Sequence, residues 1–277
     1  KFARATQLME LGEIETPILL TNTLATGRAI DALHRWTLSQ PGNESLVSIN
    51  AIVGETNDSR LNDIRAPRPT VDEMLTAFEA AQAGPVAEGC VGAGTGTVCF
   101  GHKGGIGTSS RVVTTQAGHA TVGILAQTNF GGTLRIDGKT LASTAQADRD
   151  GSVILVIACD AALSERQLTR LAARAHGGLA RSGAALSHGS GDYALAFSTA
   201  PGVRRTPERR AGPASVETLG DEALSPLFEA VIEAAEEAII NSLVAATDMK
   251  GYDAGADREN RISALPLEQI QALTARD

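Results

Sequence analysis

Ser152 follows a polar stretch and stands directly before a run of apolar residues. Residues 148–151 (DRDG) end at this serine, and residues 153–158 (VILVIA) are all apolar. A short, β-branched run of this kind predicts a buried strand. If the bond before Ser152 were cut, the residue would have both a hydroxyl nucleophile and a free α-amine, whose pKa of roughly 7.7–8 suits a base at neutral pH. Ser152 is therefore a candidate N-terminal nucleophile, with ordinary loop chemistry as the alternative.

Other motifs in the chain resemble known sites but lack a required residue. The segment 138–140 (GKT) resembles the end of a phosphate-binding loop, yet Thr133 stands where that pattern needs glycine. The segment 92–96 (GAGTG) does not have the spacing of a dinucleotide-binding fingerprint. Around Ser190, His188 occupies the position where a nucleophile elbow needs glycine. The sequence therefore supports neither nucleotide binding nor a conventional Ser-His-Asp triad.

Composition excludes several classes of function. The 277 residues have a net charge of −8 and only 3% aromatic residues, which argues against a nucleic-acid partner. The 3 cysteines and 5 histidines show no metal-ligand or disulfide spacing, so we expect no metal and no cofactor. No apolar run approaches the ~18 residues that span a bilayer, and no membrane partner is predicted.

Apolar periodicity and capping residues predict the elements that must position Ser152. We expect strands at 17–21, 46–54, 111–115, 121–128, 133–136, 153–158 and 193–197. We expect helices at 23–40, 70–83, 164–179 and 224–246, with one more after Pro266, two of them opened by the capping boxes at Thr70 and Ser164. Loops are expected at 55–64 and 201–213, and 141–150 is predicted to be the most flexible stretch in the first half. This order predicts an α+β fold, a sheet flanked by helices, in one domain over residues 1–277.

Three segments, in order along the chain, form a specific pattern. They are KGGIGTSSR at 103–111, Gly151-Ser152 with the strand at 153–160, and GSGD at 189–192 followed by ALAFST at 194–199. Supporting segments are GET at 54–56, RLND at 60–63, GPVAEG at 84–89 and QTN at 127–129. Together these segments resemble the DmpA-type aminopeptidase family, which includes the β-peptidyl aminopeptidases, and the resemblance covers nearly the whole chain.

The resemblance implies a four-layer αββα sandwich of the N-terminal-nucleophile-hydrolase type. It implies an inactive single chain that cuts itself between Gly151 and Ser152 into a first subunit, 1–151, and a second, 152–277. Such αβ heterodimers would assemble into a homo-oligomer, a tetramer or octamer. The family normally has additional sequence before the segment that begins at Lys1, and that segment helps to build the substrate pocket.

The resemblance also implies roles for individual residues. Ser152 would attack the substrate carbonyl while its own α-amine transfers the proton, and Asn129 would donate to the oxyanion. Ser190 and Asp192 would hold the hydroxyl and amine of Ser152 in place, and some members have Glu at the position of Asp192. Glu55 would face the free ammonium group of the substrate.

Each assignment has a simpler alternative. Asn129 could be a turn residue, Asp192 a cap or a solvated charge, and Glu55 a partner of Arg60. Lys103 could be a surface charge, and it is given no catalytic role.

The activity expected from these residues is that of a self-processing serine aminopeptidase. It would release N-terminal residues from peptides or amino-acid amides, with L-, D- and β-amino-acyl substrates left open, in the cytoplasm, or in the periplasm if a signal precedes Lys1. One alternative is an acyltransferase like the ornithine acetyltransferases, which cut themselves before Thr rather than Ser. Another is a non-processing structural relative, against which the retention of Ser152, Asn129, Ser190 and an acid argues.

Overall fold

The structure, a computed structural model, describes residues 1–3, 5–115, 118–141 and 150–274 of the chain. The stretch predicted to be flexible, 141–150, lies mostly outside these residues. The strands are β1 Phe2–Ala3, β2 Ile18–Asn22, β3 Ile52–Thr56, β4 Val98–Cys99, β5 His102–Lys103, β6 Gly105–Thr115, β7 Gly118–Asn129, β8 Arg135–Ile136, β9 Lys139–Thr140, β10 Gly151–Cys159, β11 Ser190–Ser198, β12 Met249–Asp253 and β13 Arg258–Ile262. The helices are α1 Thr6–Leu11, α2 Thr26–Leu38, α3 Val71–Glu79, α4 Glu165–Arg181, α5 Pro207–Ala211, α6 Ser225–Val244 and α7 Leu267–Thr274.

The larger sheet has the strand order β11-β10-β7-β6, so the strand that follows Gly151 is internal. β10 pairs in parallel with β11 and antiparallel with β7. Side chains alternate between the two faces of a strand. The odd-numbered residues of β10 belong to the main hydrophobic core beneath α4 and α6: Val153, Leu155, Ile157 and Cys159. The even-numbered residues, including Ser152, consequently face away from these helices.

One glycine of the KGGIGTSSR segment explains how closely α6 approaches β6. A side chain at Gly107 would overlap the Ala238 carbonyl of α6 and lie 2.9 Å from the Ser242 side chain. Only glycine therefore lets the helix rest directly on this part of the strand.

A smaller sheet, β1-β3-β2, packs against the even-numbered face of β10. A side chain at Gly54 would meet Ile154 at 3.1 Å, and Gln127 of β7 donates across the gap to Thr56 Oγ1 at 2.8 Å. The other face of the smaller sheet is covered by α2 and α3, around Leu33 and Val53. The layers thus follow one another as helix, sheet, sheet and helix, and the predicted α+β fold is confirmed.

Both predicted capping boxes are present. Thr70 and Glu73 bond each other's backbone N–H groups at the start of α3, and Ser164 and Gln167 do the same at the start of α4. These side chains satisfy N–H groups that have no partner within the helix, which is why the helices begin there.

The strand predicted at 46–54 is wrong over its first six residues, 46–51. β3 begins only at Ile52, and Val47 is fully exposed (100%). The backbone N–H of Asn50 donates to the Glu15 carboxylate instead of to a neighbouring strand. The strand continues to Thr56, which moves Glu55 out of the predicted loop and into a fully buried strand.

Other elements also differ from the sequence prediction: β6 begins at Gly105 rather than at residue 111, and helix α1 was not predicted. The expected loop at 201–213 contains the short helix α5, whose first turn is capped by Thr206. The hairpin β12–β13 was not predicted, because its sequence is polar and has little apolar alternation.

Within the described ranges, no helix is long and apolar enough to cross a membrane.

Candidate active site

A cavity of about 590 Å³ opens at the ends of β3, β7, β10 and β11. It brings together residues from both sheets, among them Glu55, Arg60, Asn129, Ser152, Ser190 and Tyr193. Its volume lies within the range of about 300–1,000 Å³ typical of small-molecule sites.

In the part of the chain that the structure describes, no group of three His, Cys, Asp or Glu side chains is placed to hold a metal ion.

Ser152 is the second residue of β10 and is only 8% exposed. Its Cα lies opposite Asn129 on one side and Gly191 on the other. A Cβ at Gly191 would lie 3.0 Å from Tyr193 Cε2 and 3.6 Å from Ser152 Cβ, so a side chain there would crowd Tyr193 rather than Ser152. In the uncut chain the nitrogen of Ser152 is an amide and has no basic lone pair, so the base proposed from sequence does not yet exist.

Asn129 ends β7, and both ends of its side-chain amide are fixed. Its Oδ1 accepts from the Val98 N–H at 3.0 Å, and its Nδ2 donates to the Asn57 carbonyl at 2.8 Å. These two bonds determine which end is the nitrogen. They leave one N–H of Nδ2 for a ligand in the cavity, beside Ser152. Asn129 is therefore a strand residue with an oriented donor, not a turn residue.

Ser190 and Asp192 are joined to each other rather than to the serine of β10. The Ser190 hydroxyl donates to Asp192 Oδ1 at 2.9 Å. They flank Gly191, whose Cα lies opposite Ser152, so the alternation of side chains places them towards the other face of the sheet. Among the described residues, no hydrogen bond links either of them to Ser152.

Glu55 is 7% exposed and lies in β3 on the opposite wall of the cavity. Its carboxylate accepts a hydrogen bond from the Thr23 hydroxyl and lies 3.2 Å from the α-ammonium nitrogen of Lys1. The carboxylate lines the cavity and has an internal hydrogen-bond partner in Thr23. Its suggested ion pair with Arg60 does not form in the described part of the chain.

Lys103 is completely buried, so its interpretation as a surface charge is wrong. Its Nζ donates to the carbonyls of Gly94 at 2.7 Å and Gly104 at 2.8 Å. β5, which contains Lys103, pairs with β4, which presents the Val98 N–H to Asn129. The buried cation therefore ties together the backbone that orients Asn129. Burial lowers the pKa of Lys103 to about 8.

This lowered pKa predicts a pH-dependent stability. Between pH 8 and the ordinary value of about 10.4, the unfolded state binds more protons at Lys103 than the folded state, so stability rises with pH. We expect the free energy of unfolding of the wild type to rise by about 3 kcal/mol relative to Lys103→Met between pH 7 and 10.5. Urea unfolding at a series of pH values measures this, with the exposed Lys250→Met as control. Parallel pH profiles for wild type and Lys103→Met would contradict it.

Sequence reasoning missed several partners in the site. Thr23 lies 32 residues from Glu55, to which it donates, and the Asn57 carbonyl lies 72 residues from Asn129, from which it accepts. A main-chain carbonyl is present in every residue, so residue type does not indicate which carbonyl will be a partner. The charge of Lys103 within a glycine-rich run was visible, but its burial was not.

Comparison with known proteins places this geometry in a family. Residues 1–256 match the model of peptidase family S58. The chain belongs to this family. A β-peptidyl aminopeptidase of Sphingosinicella microcystinivorans is 39% identical over 96% of this chain and 70% of its own length.

Two solved structures are similar to this S58 peptidase over nearly its whole length. The β-aminopeptidase of a Burkholderia species has a TM-score of 0.83 and 36% identity, over 98% of this chain and 78% of its own. The L-aminopeptidase D-Ala-esterase/amidase of Ochrobactrum anthropi has a TM-score of 0.87 and 33% identity, over 99% and 77%. The latter is described as a prototype of the serine aminopeptidases and a variant of the N-terminal-nucleophile-hydrolase fold. The resemblance, the fold type and the expectation of a serine aminopeptidase are thereby confirmed.

Proposed function

We propose that this S58 peptidase cuts itself between Gly151 and Ser152 and then uses Ser152 to release N-terminal residues from peptides or amino-acid amides. The observation that supports this most directly is one cavity containing a strand-held serine, an oriented amide donor and a carboxylate: Ser152, Asn129 and Glu55. In this proposal 1–151 and 152–277 are the two subunits of a single domain, and the heterodimers form a homo-oligomer.

The cut supplies the missing base. It converts the Ser152 amide into an α-amine, whose pKa of roughly 7.7–8 lets it accept a proton near neutral pH. The Ser152 hydroxyl then attacks the substrate carbonyl, its proton passes to the amine, and the leaving amine takes that proton. An ester remains on Ser152, and water hydrolyses it with the same amine as base.

Asn129 stabilises the charge that develops on the substrate oxygen. Its free Nδ2 hydrogen is oriented by the bonds to Val98 and Asn57 before any substrate arrives. A donor held in place costs no reorganisation during the reaction, which is the condition for effective oxyanion stabilisation.

The Ser190–Asp192 pair positions the nucleophile. Because Ser190 donates its only hydroxyl hydrogen to Asp192, its oxygen can only accept further bonds. After the cut, an N–H of the Ser152 amine can donate to it, which directs the lone pair of the amine to the Ser152 hydroxyl proton. Release of Ser152 from the preceding peptide bond gives its backbone the freedom to approach Ser190, which lines the same cavity.

Glu55 selects substrates with a free amino terminus. A buried carboxylate pairs readily with an ammonium group, and a blocked amine removes that charge. The names of the S58 relatives make β-amino-acyl residues one candidate class beside L- and D-amino-acyl residues.

Intact-mass spectrometry combined with one substrate pair tests the proposal. We expect two fragments that separate at Gly151–Ser152, and hydrolysis of an amino-acid amide but not of its N-acetylated form. An active but uncut chain, or equal rates on both substrates, would contradict the proposal. A requirement for an amine acceptor in place of water would indicate the acyltransferase alternative.

Gly151 is expected to be necessary for efficient cutting. Its φ is +150°, and a Cβ there would overlap the Asn129 carbonyl and lie 2.6 Å from Phe130 Cα. Gly151→Ala should therefore cost about 1–3 kcal/mol of strain and slow the cut by displacing the bond from the end of β7. A time course by intact mass measures the rate, and Gly27→Ala, whose added methyl group has open space, is the matched control. An unchanged rate in Gly151→Ala would contradict this role.

A further inference from the structure

Arg60 is a cationic residue of the cavity wall that the proposed chemistry does not use. Arg60 is half-buried and lines the same cavity as Ser152. Within the described residues its side chain has neither an ion pair nor a hydrogen bond. Among the described residues, two carboxylates line the cavity and neither pairs with Arg60: Glu55 accepts from the Thr23 hydroxyl, and Asp150 accepts from Ser187 Oγ at 2.7 Å. An arginine of this kind favours an anionic ligand that takes two of its N–H groups.

The backbone that presents Arg60 is fixed by the hairpin β12–β13. Three consecutive carbonyls, those of residues 59–61, accept hydrogen bonds from this hairpin: from Ala254 N at 2.9 Å, Asn260 Nδ2 at 2.9 Å and Tyr252 N at 3.1 Å. At Gly251 a side chain would overlap the Leu61 carbonyl, so the hairpin lies directly against the turn. This anchoring reduces the entropy lost when Arg60 binds a ligand.

The charges of the cavity therefore match a short molecule with opposite charges at its two ends. In the proposed function Glu55 binds an ammonium group and Ser152 attacks a carbonyl, and Arg60, in the same cavity, is suited to an anion. A dipeptide has these three groups, whereas an amino-acid amide has only the ammonium and the carbonyl.

We infer that Arg60 binds the C-terminal carboxylate of the substrate, so that dipeptides with a free carboxylate are preferred over their amides. This rests on the proposed function, because it assigns the leaving-group side of the same cavity. It makes Arg60 a determinant of substrate class.

The test compares a dipeptide X-Ala with its C-terminal amide X-Ala-NH2, where X is the N-terminal residue that the wild type releases fastest. Wild type, Arg60→Met and Arg65→Met are assayed after cutting at Gly151–Ser152 has been verified by mass. Arg65 is the matched control, an exposed arginine of the same loop that does not line the cavity. We expect the ratio of kcat/KM for acid over amide to fall about 10- to 100-fold in Arg60→Met, as for loss of a charge-assisted hydrogen bond. The ratio should not change in Arg65→Met.

The outcomes separate this inference from the proposed function. If the wild type hydrolyses neither substrate, the proposed function fails. If it hydrolyses both and the ratio is the same in Arg60→Met, the carboxylate site fails while the function stands. An equal change of KM for both substrates in Arg60→Met would show that Arg60 does not recognise the carboxylate, and would also overturn the inference.

A second measurement needs no variant at Arg60. Inhibition of the wild type by N-acetylalanine is compared with inhibition by N-acetylalaninamide, with the X-Ala-NH2 amide as substrate. We expect the acid to inhibit more strongly, and equal inhibition would overturn the inference.

Discussion

Ser152→Ala is expected to remain a single uncut chain with no aminopeptidase activity. Without the hydroxyl, neither the bond at Gly151 nor a substrate carbonyl has a nucleophile. The expected loss in kcat is about 10⁶-fold, the scale found when a serine hydrolase loses its nucleophile. Intact mass and an amide assay measure the two effects on the same sample.

The cut and the hydrolysis can be separated for this variant. A site for a specific protease, placed directly before residue 152, lets the folded single chain be cut from outside and supplies the free N terminus without self-cutting. The externally cut chain with serine at 152 should be active, and the one with alanine inactive. A Ser152→Ala single chain that still splits in two would show that another group cuts the bond.

Asn129→Ala is expected to lower kcat by about 10²–10³-fold, or about 3–4 kcal/mol, with little change in KM. The reason is that its free N–H acts on charge that appears only in the transition state. Steady-state kinetics on an amide substrate measure the split between kcat and KM. A raised KM with an unchanged kcat would show that Asn129 binds the substrate in its ground state.

The structural role of Asn129 needs its own control. The alanine variant also leaves the Val98 N–H and the Asn57 carbonyl without their side-chain partner, at a cost of about 1–3 kcal/mol each. Asn43→Ala removes a comparable bond, from Nδ2 to the Thr37 carbonyl, far from the cavity. Assays at a temperature well below the thermal unfolding midpoint of each variant then isolate the effect on catalysis.

Local sequence signals predicted the framework of this site but not its partners. The apolar run after Ser152 and the capping boxes at Thr70 and Ser164 act through neighbours within a few residues, and the structure has them as expected. The resemblance to known peptidases singled out Asn129 and Glu55 as candidates, which the residues alone would not have distinguished from a turn and a surface pair.

The parts that sequence missed depend on distant contacts. Lys103 is buried because the carbonyls of Gly94 and Gly104 surround its Nζ, and nothing in its residue type indicates that environment. The strand at 46–54 was predicted to begin too early in the chain. Apolar residues form a buried strand only where a neighbouring strand is available to pair with them, and the sequence does not show where that is. The hairpin β12–β13 acts through main-chain bonds to the loop of Arg60, which no polar pattern encodes.

The internal position of β10 determines how the protein would behave after the proposed cut. One sheet would then be shared between two chains, with β6 and β7 from the first and β10 and β11 from the second, and α6 of the second lying across β6 of the first. Folding would have taken place while a peptide bond kept these strands at high local concentration. Once that bond is gone, two separate molecules must meet to rebuild the sheet, so refolding of the mature peptidase would depend on its concentration. The lifetime of the active form would then be determined by how slowly it unfolds.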